Sequence, residues 1–206
     1  MTRRTLMAGA LVMLAGMSSI AAQAPAPAAP SGQPPAARPP QGPGLTLTTT
    51  AFEDGGIIPN KYTSADPAGV SPKLTWTNVP ANTVSFALIF HDPDVALQRK
   101  VDDVLHGMWF NIPGTARELA EGLPAGPTMA DGTIQAKNLR GTNAYMGPGA
   151  GAAGPMHHYT WELFALDTKL ELTPDATRAD VLKAIDGHIL GKGVLVGRFK
   201  RPAVPQ

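Results

Sequence analysis

The chain has 206 residues, a net charge of +1 and no cysteine, and only 16% of its residues are charged. The missing thiols exclude disulfide-stabilised folds, thiolate catalysis and lipid attachment through cysteine. Because lysine and arginine form no basic stripe, we also expect no nucleic-acid partner.

Residues 1–24 have the pattern of a secretory signal peptide. Two arginines give a positive start, an apolar run covers residues 6–20, and the sequence AQA that follows offers a cleavage site. The run is short and interrupted by glycine, so a retained membrane anchor is the less favoured alternative. We expect a periplasmic or secreted protein without a transmembrane segment after signal removal. The Sec route fits this signal better than the twin-arginine route, which the paired arginines would also suit.

Residues 25–44 consist almost entirely of Pro, Ala, Gly and Gln. Such a segment has no apolar side chains to bury, and its prolines favour the extended polyproline II conformation. We interpret it as a semi-rigid linker. Residues 45–202 remain, a normal length for one domain with its own core.

Strand patterns dominate this domain. Apolar, aromatic and β-branched residues concentrate in five segments separated by Gly and Pro, at residues 73–79, 84–92, 104–112, 158–166 and 193–201. The second segment is a long apolar run, typical of a central strand that is covered on both faces. One or two edge strands are expected at the start of the domain. The sequence therefore predicts a mainly β protein, an antiparallel β-sandwich with one or two peripheral helices.

The clearest helix pattern follows Thr177. Asp180 stands three residues later and completes an approximate capping box, and Gly187 is expected to end the helix. The apolar face of this helix is predicted to consist of Val181, Leu182 and Ile185. A second, shorter helical turn is expected at residues 117–121.

A glycine-rich stretch, YMGPGAGAAGPMHHY, precedes the fourth strand segment and contains a G-x-G-x-x-G match at Gly149, Gly151 and Gly154. Dinucleotide binding requires this motif between a buried strand and a helix, whereas here a strand follows. The Rossmann interpretation is therefore rejected. Two interpretations remain open, a mobile surface loop and a loop whose backbone N–H groups meet an anion.

Polar residues interrupt the apolar strands at three places. Asp92 and Asp94 flank a proline at the end of one strand, His106 lies inside the next, and His157 and His158 begin another. Each is explained separately by a solvated strand end or a hydrogen-bonded core histidine. Together they predict a small polar pocket in an apolar frame. Two histidines and an aspartate also resemble a metal triad, but no ligand spacing supports one, and we expect no metal or cofactor.

The motifs SPKLTWTNVP, SFALIFHDPD, HGMWFNIP, YMGPG, HHYTWELFALD and GHILGKGVLVGRFKR together resemble the phosphatidylethanolamine-binding protein (PEBP) family. They fit best its bacterial YbhB/YbcL, or Raf-kinase-inhibitor-like, branch, and the resemblance covers nearly all of residues 52–201. It implies a β-sandwich-like fold with a small pocket for phosphate, phosphorylated head groups or acetate-like anions. By position, it implies a ligand-binding set of Asp92, Asp94, His106, Tyr145, Gly147, Gly149, His157 and Tyr159.

Three motifs depart from the family pattern. Ala96 replaces the last proline of the Asp-Pro-Asp-x-Pro signature, Ala150 and Gly151 stand where a proline pair is usual, and His158 replaces an arginine. We expect these changes to loosen the pocket rim while leaving its floor intact. His157, and not His158, is predicted to face the ligand.

The resemblance and the residues favour an exported, non-enzymatic anion-binding protein, and a regulatory role is left open. A protein-interaction or inhibitor module, using the polar loop at residues 97–103, is the alternative. An acid–base enzyme built on Asp92 and a histidine is less favoured, because no nucleophile is evident. A small anion is the expected partner, and a protein partner and a homodimer are left open.

Overall fold

The computed structural model describes residues 44–99 and 101–203. The predicted signal peptide and linker residues 25–43 lie outside the described residues. The described part is mainly β, as predicted, and contains nine strands, one α-helix and two short 3-10 turns. No helix within these ranges is long and apolar enough to cross a membrane.

The larger sheet has six strands in the order β2-β9-β8-β4-β5-β7. Its strands are β2 (Gly56–Ile57), β4 (Ser85–Asp92), β5 (Val104–Pro113), β7 (Ile134–Gln135), β8 (His157–Leu166) and β9 (Ile189–Phe199). All neighbours are antiparallel except β2 and β9, which pair in parallel. The sheet is mainly antiparallel, as predicted, with one short parallel pair. This pair arises because β2 joins the sheet at an edge, beside the last strand of the chain.

The smaller sheet has three antiparallel strands in the order β1-β3-β6. They are β1 (Thr46–Thr48), β3 (Leu74–Thr77) and β6 (Glu118–Leu119). The strand β6 occupies the segment for which a helical turn was predicted, so that prediction is wrong. The reason is tertiary pairing, because Leu119 lies opposite Leu74 and is itself buried in the core.

Both sheets contribute side chains to one apolar cluster, including Trp76 from the small sheet and Phe90 and Trp161 from the large one. A second cluster lies on the other face of the large sheet, where Val181 and Ile185 of the helix pack against it. All eight residues of β4 are buried, because this strand is covered on both faces. This confirms the interpretation of its continuous apolar run.

The helix α1 (Arg178–Ile185) begins with the predicted capping box. The Thr177 hydroxyl accepts a hydrogen bond from the Asp180 N–H, and the Asp180 carboxylate accepts one from the Thr177 N–H. Gly187 follows the helix with a φ of 82°, in the left-handed region where glycine is favoured. Leu182 is 40% exposed, so the buried face is narrower than predicted.

Candidate functional site

The site forms where the end of β4 lies between the beginnings of β5 and β8. Antiparallel pairing places Asp92 opposite Val104 of β5, and the adjacent His91 opposite Thr160 of β8. The same pairing brings His106 and His157 close to Asp92 at one edge of the sheet, although they lie 14 and 65 positions away from it in sequence. The predicted convergence at strand ends follows directly from this strand order.

A cavity of about 350 Å³ opens at this edge. Six of the eight predicted ligand-binding residues line it, namely Asp92, His106, Gly147, Gly149, His157 and Tyr159. The wall also contains apolar side chains, including Val95, Val104, Leu139 and Met146. The cavity thus combines a few convergent polar groups with an apolar frame, which is the usual construction of a small-molecule site.

A β-bulge turns His106 into this cavity. The pairing of β4 with β5 passes from Gly107 directly to Leu105, so His106 is an extra residue in β5. Strict alternation from Met108, which packs on the helix side of the sheet, would turn His106 toward the helix. The bulge reverses this, and the His106 ring lies 5.1 Å from the ring of Phe90 in the core between the sheets. Bulges commonly re-aim a side chain in this way.

The buried ring of His106 has one nitrogen committed to the protein. Its Nδ1 lies 2.7 Å from the Met146 carbonyl oxygen, which only accepts, so Nδ1 carries the proton. The other nitrogen, Nε2, remains available for a ligand. Burial lowers the pKa of His106, because the charged imidazolium is poorly solvated at a position that is only 4% exposed.

Asp92 and His157 form a paired unit on the cavity floor. The Asp92 Oδ2 atom lies 2.7 Å from His157 Nδ1, and Oδ1 accepts a hydrogen bond from the Asp94 N–H at 3.0 Å. Asp92 is only 3% exposed, so both of its oxygens are occupied by protein donors at a buried position. The carboxylate fixes the tautomer of His157 and leaves its Nε2 for a ligand.

The glycine-rich loop is held in place by the Tyr159 hydroxyl. That oxygen accepts hydrogen bonds from the N–H groups of Gly149 and Ala150, at 3.1 and 3.0 Å. The Ala150 carbonyl accepts a further bond from the Arg201 N–H at 2.9 Å. Two of the N–H groups that were expected to meet an anion are therefore used inside the protein. Strand β8 and not a helix follows the loop, which agrees with rejection of a dinucleotide site.

Asp94 and Tyr145 are placed away from the lining of this cavity. Asp94 accepts hydrogen bonds from the backbone and the ring of His158, at 2.5 and 3.0 Å. Partial burial works to raise the pKa of Asp94, but the bonds from His158 outweigh it and lower the pKa. Tyr145 stacks on Phe90 at 5.4 Å and donates its hydroxyl to the Tyr62 carbonyl, and burial raises its pKa well above the usual value.

Three further polar residues line the cavity and were not predicted from the sequence. They are Ser64, Arg140 and Arg201. The Arg201 Nη2 atom donates to the Ser64 hydroxyl at 2.9 Å. Among the arginines of the described residues, it is Arg178 that forms an ion pair with a carboxylate. Its partner is Asp103, and both residues lie outside the cavity lining. Neither cavity arginine forms an ion pair with a carboxylate within the described residues, so both guanidinium groups are available to a ligand.

The described ranges contain no group of three or more His, Cys, Asp or Glu side chains arranged to hold a metal ion. Asp92, His106 and His157 are close, but their Nδ1 and carboxylate atoms are committed to the hydrogen bonds above. The site is thus defined by imidazoles, guanidinium groups and backbone rather than by a metal-ligand set.

The fold and this cavity define a mainly β protein with a partly polar cavity at the strand ends. The family model described as phosphatidylethanolamine-binding protein matches residues 48–200. A UPF0098 protein of Methanothermobacter thermautotrophicus is 40% identical over 157 residues, which are 76% of this chain and 99% of the relative. The chain belongs to the PEBP family, as the resemblance predicted.

Solved structures agree with this assignment. A PEBP homolog from Chlamydia trachomatis matches with a TM-score of 0.66 and 30% identity, over 77% of this chain and 98% of its own. The E. coli protein YbcL matches with a TM-score of 0.65 and 24% identity, over 77% and 99%, and supports the fold. LppC of Mycobacterium tuberculosis, whose name marks it as a candidate lipoprotein, is 33% identical over 156 residues, 76% of this chain and 72% of LppC.

Proposed function

We propose that the chain is an exported, non-enzymatic protein that binds a phosphate-like anion or a phosphorylated head group in the strand-end cavity. One observation carries the proposal. Arg140 and Arg201 both line this cavity. Among its described lining residues, Asp92 carries the single carboxylate, and that carboxylate is already hydrogen-bonded to His157 and to a backbone N–H. Uncompensated guanidinium groups in a concave site favour an anionic ligand, and phosphate geometry suits their forked donors.

The tautomers of the two histidines favour a ligand that itself carries a proton. In the neutral state, His106 and His157 hold their protons on Nδ1, so each Nε2 presents a lone pair. Phosphate and its monoesters still hold a proton near their second pKa of about 6 and can donate to these nitrogens. Sulfate carries no such proton. The cavity is therefore expected to prefer phosphate over sulfate, and to take up a proton when a fully ionised anion binds.

The hydroxyl groups in the cavity support a binding function rather than covalent catalysis. Among the described lining residues these hydroxyls belong to Ser64 and Tyr159, and both interact with donors, Arg201 in one case and loop N–H groups in the other. Neither is hydrogen-bonded to an imidazole in the described part of the chain, as activation by a general base requires. Export is supported by the signal pattern of residues 1–24, and by the candidate lipoprotein among the relatives.

Isothermal titration of the purified mature protein with inorganic phosphate tests the proposal. We expect saturable binding that weakens about tenfold or more in Arg140→Gln, because a charge-assisted hydrogen bond contributes roughly 1.5–3 kcal/mol. Arg117→Gln is the matched control, since Arg117 is exposed, donates to backbone carbonyls and lies outside the cavity. Absence of binding to any small anion would overturn the proposal.

Two further measurements address the other parts of the proposal. Hydrolysis of phosphoesters is expected to stay at background in the wild type. Turnover that disappears in Asp92→Asn would show an enzyme instead. N-terminal sequencing of the protein from the exporting cell is expected to begin after residue 24, and an intact N-terminus would remove the claim of signal cleavage.

A further inference from the structure

A second cavity of about 310 Å³ adjoins the first. The two cavities share five lining residues, which are Ser64, Arg140, Met146, Gly147 and Arg201. The remaining wall of the second cavity comes from the segment at residues 63–69, from the turn around Asn138 and Thr142, and from Tyr145. A ligand bound between the two arginines in the first cavity therefore has the second cavity directly beside it.

The two cavities differ in their chemistry. The first contains a hydrophobic wall, in which Val95, Val104 and Leu139 take part. The second lacks these three side chains and contains Asp66 and Thr142 instead, together with the shared arginines. Hydrocarbon chains gain nothing from polar walls, whereas a hydroxylated group can exchange its hydrogen bonds with water for bonds to the protein.

The polar groups of the second cavity are partly unused by the protein. Asp66 Oδ1 accepts the Ala68 N–H at 2.9 Å, and its other oxygen makes no hydrogen bond to the described residues. The Thr142 hydroxyl donates to Asn138 at 3.1 Å and keeps its own acceptor capacity. A carboxylate oxygen accepts from an alcohol, and a guanidinium group donates to one. This combination of acceptor and donor matches hydroxyl groups better than a second phosphate, which Asp66 would repel.

We propose that the two cavities together take a phosphate ester of a polyol or sugar. This proposal rests on the function proposed above and specifies its ligand. The phosphate lies in the first cavity against Arg140 and Arg201, and the hydroxyl groups of the ester lie in the second cavity against Asp66 and Thr142. Inorganic phosphate fills the first cavity alone, and an acyl or alkyl ester leaves the polar groups of the second cavity without partners.

Comparison of glycerol 3-phosphate with propyl phosphate tests this proposal, because both carry a three-carbon ester and differ in two hydroxyl groups. We expect glycerol 3-phosphate to bind the wild-type mature protein about tenfold more tightly, which corresponds to about 1.4 kcal/mol. In Asp66→Ala, this ratio is expected to fall toward one. The affinity for propyl phosphate is expected to stay equal or to rise, because a negative charge near the anion has been removed.

Asp131→Ala is the matched control. Asp131 Oδ1 accepts the Thr133 N–H at 2.9 Å, the same local turn bond that Asp66 makes, and Asp131 lines neither cavity. The tenfold ratio should persist in this variant. Thr142→Val is a second test of the same cavity, and should lower the ratio while leaving the circular dichroism spectrum unchanged.

The outcomes separate this proposal from the function on which it rests. If inorganic phosphate and both esters fail to bind, the proposed anion site itself is wrong. If phosphate and both esters bind but the two esters bind equally, the anion site stands and the polyol proposal falls. Tighter binding of propyl phosphate would also overturn the polyol proposal, and would place the ester on the apolar wall of the first cavity.

Discussion

The hydroxyl of Tyr159 is expected to hold the glycine-rich loop, and Tyr159→Phe removes that oxygen while keeping the ring. Two loop N–H groups then lose their acceptor, those of Gly149 and Ala150. Gly149 is exposed, so water can replace the lost bond and about 1 kcal/mol of net stability is lost. Ala150 is only 6% exposed, and an unsatisfied buried N–H costs roughly 1–3 kcal/mol. The free energy of unfolding should therefore fall by about 2–4 kcal/mol.

Urea unfolding measures this loss, and amide hydrogen exchange assigns it to the loop. Exchange at Gly149 and Ala150 should accelerate in Tyr159→Phe. Tyr145→Phe is the control, because it removes a single hydrogen bond, 2.8 Å long, to the Tyr62 carbonyl outside the loop. We expect that variant to lose about 1 kcal/mol and to keep the slow exchange of the two loop amides. Equal losses in the two variants, with loop exchange unchanged in both, would refute the role of the hydroxyl.

Three other predictions concern the residues around the cavity. Gly107→Ala should destabilise the protein by about 1–3 kcal/mol in urea unfolding, because its new Cβ would overlap the buried indole ring of Trp109. Gly151→Ala meets no atom within 4 Å and should be neutral. Burial lowers the pKa of His106 in the folded protein, so below about pH 6.5 the unfolded chain binds more protons than the folded one. The free energy of unfolding of the wild type should therefore fall as the pH drops below about 6.5, and it should fall less steeply in His106→Gln. Asp92→Asn should shift the neutral His157 proton from Nδ1 to Nε2, which long-range ¹H–¹⁵N NMR detects, and an unchanged tautomer would contradict the pairing.

Much of the fold was predictable because burial leaves a pattern in the sequence. The segment predicted as a central strand at residues 84–92 is β4 (Ser85–Asp92), and double coverage explains its unbroken apolar run. The capping box at Thr177 was predictable because its bonds are local. The strand β6 was not, because two residues carry no period and their pairing with β3 is decided by distant parts of the chain.

From the residue pattern alone, the site was predictable where polar residues interrupt apolar strands, and the family resemblance added Gly147, Gly149 and Tyr159. Asp92, His106 and His157 were found for that reason, and the structure brings them to one cavity. Ser64 and Arg140 lie in polar, irregular segments, where such residues are ordinary and no pattern distinguishes them. Their arrival at the cavity depends on the paths of two loops. The bulge that turns His106 inward is likewise a property of strand pairing and has no signal in the sequence.

The replaced prolines of the glycine-rich loop were expected to make the rim looser, and the structure indicates how the loop is held without them. The bonds from Gly149 and Ala150 to Tyr159, together with the bond between the Ala150 carbonyl and Arg201, attach the loop at three points to β8 and to the residues after β9. These same bonds use donors that would otherwise face an anion. The loop therefore contributes shape to the cavity, and the positive charge that an anion requires has to come from elsewhere.

In the proposed function that charge comes from Arg140 and Arg201, and the pairing of Asp92 accounts for a carboxylate beside the proposed anion site. Asp92 is 3% exposed and would repel an anion if its charge were free. Its two oxygens instead accept from His157 and from a backbone N–H, so its charge is directed into the protein. The pairing also orients Nε2 of His157 as an acceptor. Under the proposed function, we therefore expect the floor to select a protonated anion and the two arginines to attract it. A phosphate monoester should then bind more tightly than a carboxylate or a sulfate.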